Sequence, residues 1–176
     1  MNKTTKIQKT VKYILFASIC IGALRLSSHY LSDVISVNHT ASLPGSIFLL
    51  QQLPNRIQRG SIVEFCPNEK ITRIASILNL IVKNNKGPSG FEPFLKIVAA
   101  VPGDFVEANG SDEIRVNNVV FLGSKPQNPL LPVFIYKGIV STNEYLLLTP
   151  HPRSFDSRYY GFIKREDLIK NAVCLF

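Results

Sequence analysis

The sequence predicts a mainly-β protein: an antiparallel β-sheet or barrel domain with a short helix, preceded by an N-terminal transmembrane or signal helix. Three observations carry this. From residue 45 onward, short apolar runs recur between turn residues at intervals of roughly ten residues, as in antiparallel sheets and barrels. One segment, 71–83, instead places Ile71, Ile74, Ala75, Leu78 and Ile81 at helical spacing. The first 32 residues join a basic lead to the most apolar run of the chain.

That N-terminal stretch divides the chain into 1–32, a cytoplasmic lead plus anchor or signal, and 33–176, a β-rich domain. MNKTTKIQKTVK carries four lysines, and the run from Tyr13 to Leu24 has 12 residues and no charge. Twelve helical residues cover about 18 Å, short of a hydrocarbon core near 30 Å. Continuing to Ser32 gives 20 residues interrupted only by Arg25. Arg25 and Lys12 sit near the two ends, where long cationic side chains reach the headgroups. Two readings compete. One is a retained single-pass inner-membrane anchor with a cytoplasmic N-terminus, oriented by the lysines. The other is a cleaved secretory signal, for which the apolar length is right. No Ala-x-Ala site follows the run, and Ile19 before Cys20 spoils a lipoprotein-type site. A buried N-terminal core helix is the third, plainer reading. Anchor and signal agree that residues beyond about 33 lie in the periplasm.

The charge follows the same division. The chain carries 20 basic and 12 acidic side chains, net +8 over 176 residues. Lys3, Lys6, Lys9, Lys12 and Arg25 supply five of the eight, with no acid before Asp33. The remaining 144 residues carry 15 basic and 12 acidic groups, or +3. A basic protein of this kind invites a nucleic-acid reading. The excess sits instead beside the apolar run, so no nucleic-acid partner is expected. With 45% hydrophobic and 18% charged residues, the chain is not intrinsically disordered. Cys66 and Cys174 either pair in an oxidising compartment or remain buried thiols. His29, His39 and His151 are scattered, so no metal and no cofactor is expected.

Along the body, strands are expected at 46–50, 61–66, 95–101, 104–107, 114–122, 134–137 and 144–148. Asn55, Pro67-Asn68, Pro102-Gly103, Asn109-Gly110 and Pro126–Pro129 mark turns between them. The 71–83 helix covers one end of the sheet or, on a sharper reading, touches the membrane surface. NNKGPSG (84–90) is a loop.

Three short segments carry the chemistry, and each is bland alone. Asn38–Gly45 is a polar turn containing Ser42. In Phe94–Asp104, Lys96 interrupts an apolar strand; an edge lysine with its head in water is the ordinary explanation. Pro152–Gly161 is a dense polar turn. Taken together they fit a serine–lysine hydrolase. A serine hydroxyl needs a base beside it, and no Ser-His-Asp set is visible. A lysine serves only when neutral, and its solution pKa near 10.4 forbids that at pH 7. Burial among apolar neighbours disfavours the ammonium. Lys96 lies between Leu95 and Ile97, and alternation puts Phe94, Lys96 and Val98 on one face. Ser–Lys pairs are an established variant of triad logic.

SFDSRYYG (154–161), KIVAAVPGD (96–104) and the Asn-x-Thr-x-Ser-x-Pro run ending at Pro44 occur in the order of the type I signal peptidase boxes. The resemblance covers about residues 36–176 and is strongest to the conjugative-transfer TraF branch. It implies a signal-peptidase-like fold, with Ser42 as nucleophile and Lys96 as general base. It also implies that Ser154 orients the lysine, and that Thr40 and the Ser42 backbone N–H form the oxyanion hole. Asp156 and Arg158 fall where a structural ion pair, or less simply a catalytic aspartate, is expected. Some features depart from the pattern. Thr149-Pro150-His151 stands where Gly-Asp-Asn often begins the last box, Gly45 follows Pro44 directly, and NNKGPSG lacks a cysteine for Cys66. The 57 residues between Lys96 and Ser154 leave no room for a large extra β-domain, as in the compact branch.

The expected function is a membrane-anchored serine endopeptidase that cleaves, or cyclises, a pro-pilin of a conjugation or type IV secretion system. The implied partners are that precursor, or another membrane-embedded one, together with the inner membrane and the secretion components. A general signal peptidase trimming secretory precursors is the nearest rival. A catalytically dead relative serving in assembly is the rival from another class.

Overall fold

The computed structural model describes residues 14–25, 33–38, 40–77, 79–80 and 90–176. It divides into two units, Met1–Ser36 and Val37–Phe176. In the first, residues 14–25 form helix α1. Its Ser18 hydroxyl donates to the Ile14 carbonyl at 2.9 Å, and Ile14, Leu15, Phe16, Ile19, Ile21 and Leu24 are exposed. No helix among the described residues is long and apolar enough to cross a membrane. The lysine lead and residues 26–32 of the expected apolar segment lie outside the described residues, as do His29 and His39.

The chain order is β1 (Ile35–Val37), β2 (Ile47–Gln52), β3 (Ile62–Phe65), α2 (Glu69–Ser76), β4 (Phe94–Ala100), β5 (Phe105–Ala108), β6 (Arg115–Val116), β7 (Val119–Val120), β8 (Tyr136–Ile139), β9 (Glu144–Leu148), α3 (Ser157–Tyr160), β10 (Ile163–Lys164) and β11 (Leu168–Cys174). The division between the units falls within β1. In the larger unit, β2, β11, β3, β4, β9 and β10 lie side by side, and a smaller sheet runs β7-β6-β5-β8. Pairing is antiparallel between these neighbours.

The two-residue period of the strands sorts side chains into separate cores. Phe94 and Val98 of β4 pack with Val63, Phe65, Ile71, Leu147, Tyr160 and Ile163. On the other face, Leu95 and Ile97 pack with Leu43, Phe48, Leu50 and Ala172. Leu146 and Leu148 join Val106, Ile114 and Val140 under the smaller sheet. β4 is central: Val63 of β3 pairs with Lys96, and Leu148 of β9 pairs with Ile97.

Five of the expected strands are present with small shifts at their ends. The others differ for local reasons. The run 114–122 is not one strand but the hairpin β6–β7, because Asn117 and Asn118 take φ of 49° and 67°. Two successive positive-φ residues make the tight reversal that asparagine tolerates. The 134–137 strand lies two residues later, as β8. The helix starts earlier than expected and is shorter. Asn68 caps it, its Oδ1 accepting from Ile71 N–H at 3.2 Å, and Asn79 is left-handed at φ 51°. Leu78 and 81–89 lie outside the described residues. Ile71 and Ala75 are buried, so α2 packs its apolar stripe on the sheet core. β11 was not expected from the sequence. Leu168, Ile169, Ala172 and Val173 do not alternate cleanly, and its place between β2 and β3 decides its burial.

Candidate active site

The Ser42 loop joins β1 to β2 and is tied down at its base. Asn38 N–H donates to Ser46 O at 2.8 Å, and Ser46 N–H donates to Phe176 O at 2.6 Å. Leu43 is buried in the core beside Leu95, which anchors the loop one residue past the serine. Gly45 has φ 109°, and a Cβ there would run into Cys174 Sγ, so glycine is required after Pro44. Thr40 Oγ1 lies 2.6 Å from Ser42 Oγ. Asn38 Oδ1 accepts from Thr40 N–H at 3.1 Å and from the Thr40 hydroxyl at 2.8 Å. The oxyanion role that the resemblance implies for Thr40 therefore requires its hydroxyl to turn. Sequence reasoning assigned Asn38 no role, although an Asn two residues before a Thr is a known turn signal.

Lys96 stands in the middle of β4 and is 6% exposed. Its Nζ lies 5.9 Å from the Phe94 ring centroid. Burial lowers its pKa to about 8; Asp156 works against that shift and Arg158 works with it. The ammonium has lost water and, among the described residues, meets no carboxylate in an ion pair, so desolvation wins.

The polar cluster beside it is fully buried. Arg158 Nε donates to Asp156 Oδ1 at 2.7 Å, and its Nη2 donates to Oδ2 at 2.7 Å. The guanidinium also donates to Thr149 O at 2.9 Å, to Pro152 O at 2.9 Å and to Gly123 O. Asp156 caps α3 by accepting from Arg158 N–H, and accepts from Thr149 N–H at 3.1 Å. β9 ends at Leu148 opposite Ile97, so Thr149 is the next residue along beside Lys96. The ion pair thus lies near the amine without supplying it a free negative charge. Ser154 Oγ and Tyr160 Oη are buried with no hydrogen-bond partner among the described residues, and burial pushes the Tyr160 phenol well above its ordinary pKa. The ring of Tyr160 packs on Phe155 and Phe65, and Phe65 packs in turn on Phe94.

The structure therefore joins Thr40 to Ser42, joins Asp156 to Arg158, and brings Lys96 under the influence of the second pair. Among the described residues no hydrogen bond joins Ser42 to Lys96, or Lys96 to Ser154. His151 is a turn residue whose Nδ1 accepts from Arg153 N–H at 3.3 Å; its carbonyl accepts from Ser154 N–H. Thus Thr149–His151, where the family box often differs, still builds the support for Arg158 and Ser154. Cys66 is buried and Cys174 is exposed, and both are free thiols. Cys66 N–H bonds to Asp167 O, before β11 begins, whereas Cys174 closes that strand. Cys174 lies seven residues on from Asp167 along the strand, at about 3.3 Å each, which rules out a disulfide in this fold. Among the described residues no group of His, Cys, Asp and Glu is arranged to hold a metal. A cleft of ≈ 720 Å³ lies over the smaller sheet, lined by residues such as Glu107, Glu113, Arg115 and Lys137, and it contains none of the residues above.

Residues 7–176 match the family described as signal peptidase, peptidase S26. Among curated proteins, the chain is 23% identical over 175 residues to "Conjugal transfer protein TraF" of Agrobacterium tumefaciens (strain 15955), covering 96% of each chain. It is 27% identical over 146 residues to the protein of that name in Agrobacterium fabrum, covering 80% of this chain and 81% of the relative. Among solved structures, a signal peptidase I from Enterococcus faecalis V583 aligns at TM-score 0.39 and 21% identity, over 66% of this chain and 97% of that one. The chain belongs to the signal peptidase family, peptidase S26, and is a serine peptidase of signal peptidase type.

Proposed function

We propose that the chain is a membrane-anchored endopeptidase that uses Ser42 and Lys96 to process a pro-pilin of a conjugation system. The observation that carries the reading is Lys96: a buried lysine on a core strand, without a carboxylate of its own, has the surroundings a neutral base needs. Neutral Lys96 accepts the Ser42 Oγ proton as the Oγ–C bond to the substrate carbonyl forms. The resulting oxyanion takes hydrogen bonds from Ser42 N–H and, once turned, from the Thr40 hydroxyl. The Lys96 ammonium returns that proton to the leaving amine as the C–N bond breaks, leaving an ester on Ser42. Water then attacks the ester carbonyl; Lys96 takes its proton and hands it to Ser42 Oγ as the acyl C–Oγ bond breaks, which releases an acid and restores the serine. If the substrate's own N-terminal amine attacks instead, the product is a cyclic peptide. Ser154, buried with an unused hydroxyl, orients the amine, while Asp156 and Arg158 hold the loop that carries it.

The name TraF on the curated relatives supports the pilin substrate. The four N-terminal lysines and the apolar run support an inner-membrane anchor with the domain in the periplasm, and Ser42 only about ten residues beyond the segment suits a membrane-embedded precursor. The family match equally favours a second reading, a general signal peptidase acting on secretory precursors.

The test is co-expression of the full chain with a pro-pilin, and separately with a secretory precursor, alongside Ser42→Ala and Lys96→Ala chains. The expected result is pro-pilin processing by wild type alone. Equal processing by all three chains removes the dyad and leaves an assembly role. Cleavage of the secretory precursor in preference to the pro-pilin moves the reading to a general signal peptidase.

A further inference from the structure

Asn38 lies outside the proposed dyad, yet it grips the Ser42 loop with both ends of its carboxamide. The oxygen accepts from Thr40 N–H at 3.1 Å and from the Thr40 hydroxyl at 2.8 Å. The nitrogen donates to Leu43 O at 3.5 Å and Gly45 O at 3.3 Å. The orientation of the amide is dictated by its partners. A backbone N–H is an obligate donor, so the atom facing Thr40 N is the oxygen, and the atom facing two carbonyls is the nitrogen. A carboxamide oxygen cannot donate, so the Thr40 hydroxyl proton lies in the bond to Asn38. Thr40 has only that proton. At 2.6 Å from Ser42 Oγ, Thr40 Oγ1 must therefore accept, and the Ser42 hydroxyl must donate.

We propose that Asn38 is a positioning residue for the peptidase reaction, acting through Thr40 to set the direction of the Ser42 hydroxyl. The inference rests on the Ser42/Lys96 reading and goes beyond it. With its proton held by Asn38, Thr40 cannot donate to Ser42. The Ser42 lone pairs stay free to face a carbonyl carbon, and the loop holds one conformation before substrate arrives; as the carbonyl enters, the Thr40 hydroxyl turns from Asn38 to the developing oxyanion and the Ser42 proton passes to Lys96. Without Asn38, the Thr40 hydroxyl is free to donate to Ser42 Oγ, which ties up a lone pair of the nucleophile, and the Thr40 N–H loses its partner.

The experiment compares full-length wild type, Asn38→Ala, Thr40→Val, Thr40→Ser and the Asn38→Ala/Thr40→Val double variant in detergent micelles. The substrate is whichever of the pro-pilin and the secretory precursor wild type cleaves. Asn38→Ala is expected to lower kcat about 10- to 100-fold with KM changed less than about threefold, since it misplaces the nucleophile without touching substrate contacts. Thr40→Ser, which keeps the hydroxyl, is expected to lose less activity than Thr40→Val. The double variant is expected to be no slower than the slower single one, because both changes break one relay. The pH midpoint set by Lys96 is expected to stay in place. Amide hydrogen exchange at Thr40 is expected to speed up in Asn38→Ala. Multiplying losses in the double variant, a rise in kcat, an effect on KM alone, or unchanged Thr40 exchange each overturns the proposal. A wild type that cleaves neither precursor overturns the peptidase reading itself, and the catalytic half of this inference with it. An active wild type with an unaffected Asn38→Ala overturns the inference alone.

Discussion

Lys96 is held against its own preference. Its pKa falls from 10.5 unfolded to about 8 folded, so between those values the unfolded chain binds the extra proton. Stability therefore rises with pH from about 8 to 10.5, and below 8 the full deficit is present. Burying that ammonium costs on the order of 3 kcal/mol. Lys96→Met should be inactive yet melt higher than wild type at pH 7, with the gap closing above pH 10; thermal unfolding across pH checks this. The same amine sets activity. About a tenth of it is neutral at pH 7 and half at pH 8, so kcat/KM should climb about tenfold per pH unit below 7, about fivefold from 7 to 8, and level off above that. Asp156→Asn should move that midpoint toward acid, because the carboxylate that favours the ammonium is lost and Arg158 remains. It should also cost about 3–5 kcal/mol, since it leaves a buried guanidinium without its counter-charge; pH–rate profiles and melting curves read the two effects separately. Of these residues, Lys96 was legible only when its lone charge in an apolar strand was read together with the Ser42 and Pro152–Gly161 segments. The Arg158 acceptors Gly123, Thr149 and Pro152 were not, because they are backbone carbonyls and carry no side-chain signature.

Elements position these groups through turns that demand particular backbones. Gly123 has φ 79°, and a Cβ there would overlap the Pro150 carbonyl oxygen. Its own carbonyl accepts from Arg158. Gly123→Ala should therefore displace the Thr149–Pro152 turn and cut processing along with stability, whereas Gly60→Ala, where a Cβ meets nothing, should carry only the strain of its positive φ. Tm and turnover of the two variants make the comparison. In the β6–β7 hairpin, Asn118→Val should cost about 1–2 kcal/mol by forcing a β-branched residue to positive φ, while Asn118→Gly should be tolerated; denaturant melts decide. Strand β9 could be read to the residue from Glu144–Leu148, because turn residues bracket an unbroken apolar run. The hairpin could not, since Ile114–Leu122 looks like one strand until two asparagines reverse it. Strand β11 was hidden for a different reason: partners distant in sequence, not its own pattern, determine which of its residues are buried.

At the level of the molecule, the three cores and every proposed site residue lie within Val37–Phe176. A chain beginning at Val37 should fold cooperatively and keep activity on a detergent-soluble precursor, yet lose processing of the same precursor embedded in vesicles. Circular dichroism and cleavage in the two settings test this. From composition and order alone followed the concentration of charge at one end, the β-rich body, and the three boxes that lead to the signal peptidase family. These are local properties, written in residue type and spacing. Only the folded chain could decide that Lys96 is enclosed on a central strand rather than exposed at an edge. Only there does Arg158 reach the carbonyls of Gly123, Thr149 and Pro152 beside its expected partner Asp156, and only there are Cys66 and Cys174 held apart by the length of β11. Each of these depends on which distant strands become neighbours, and desolvation and distance exist only once that packing is complete.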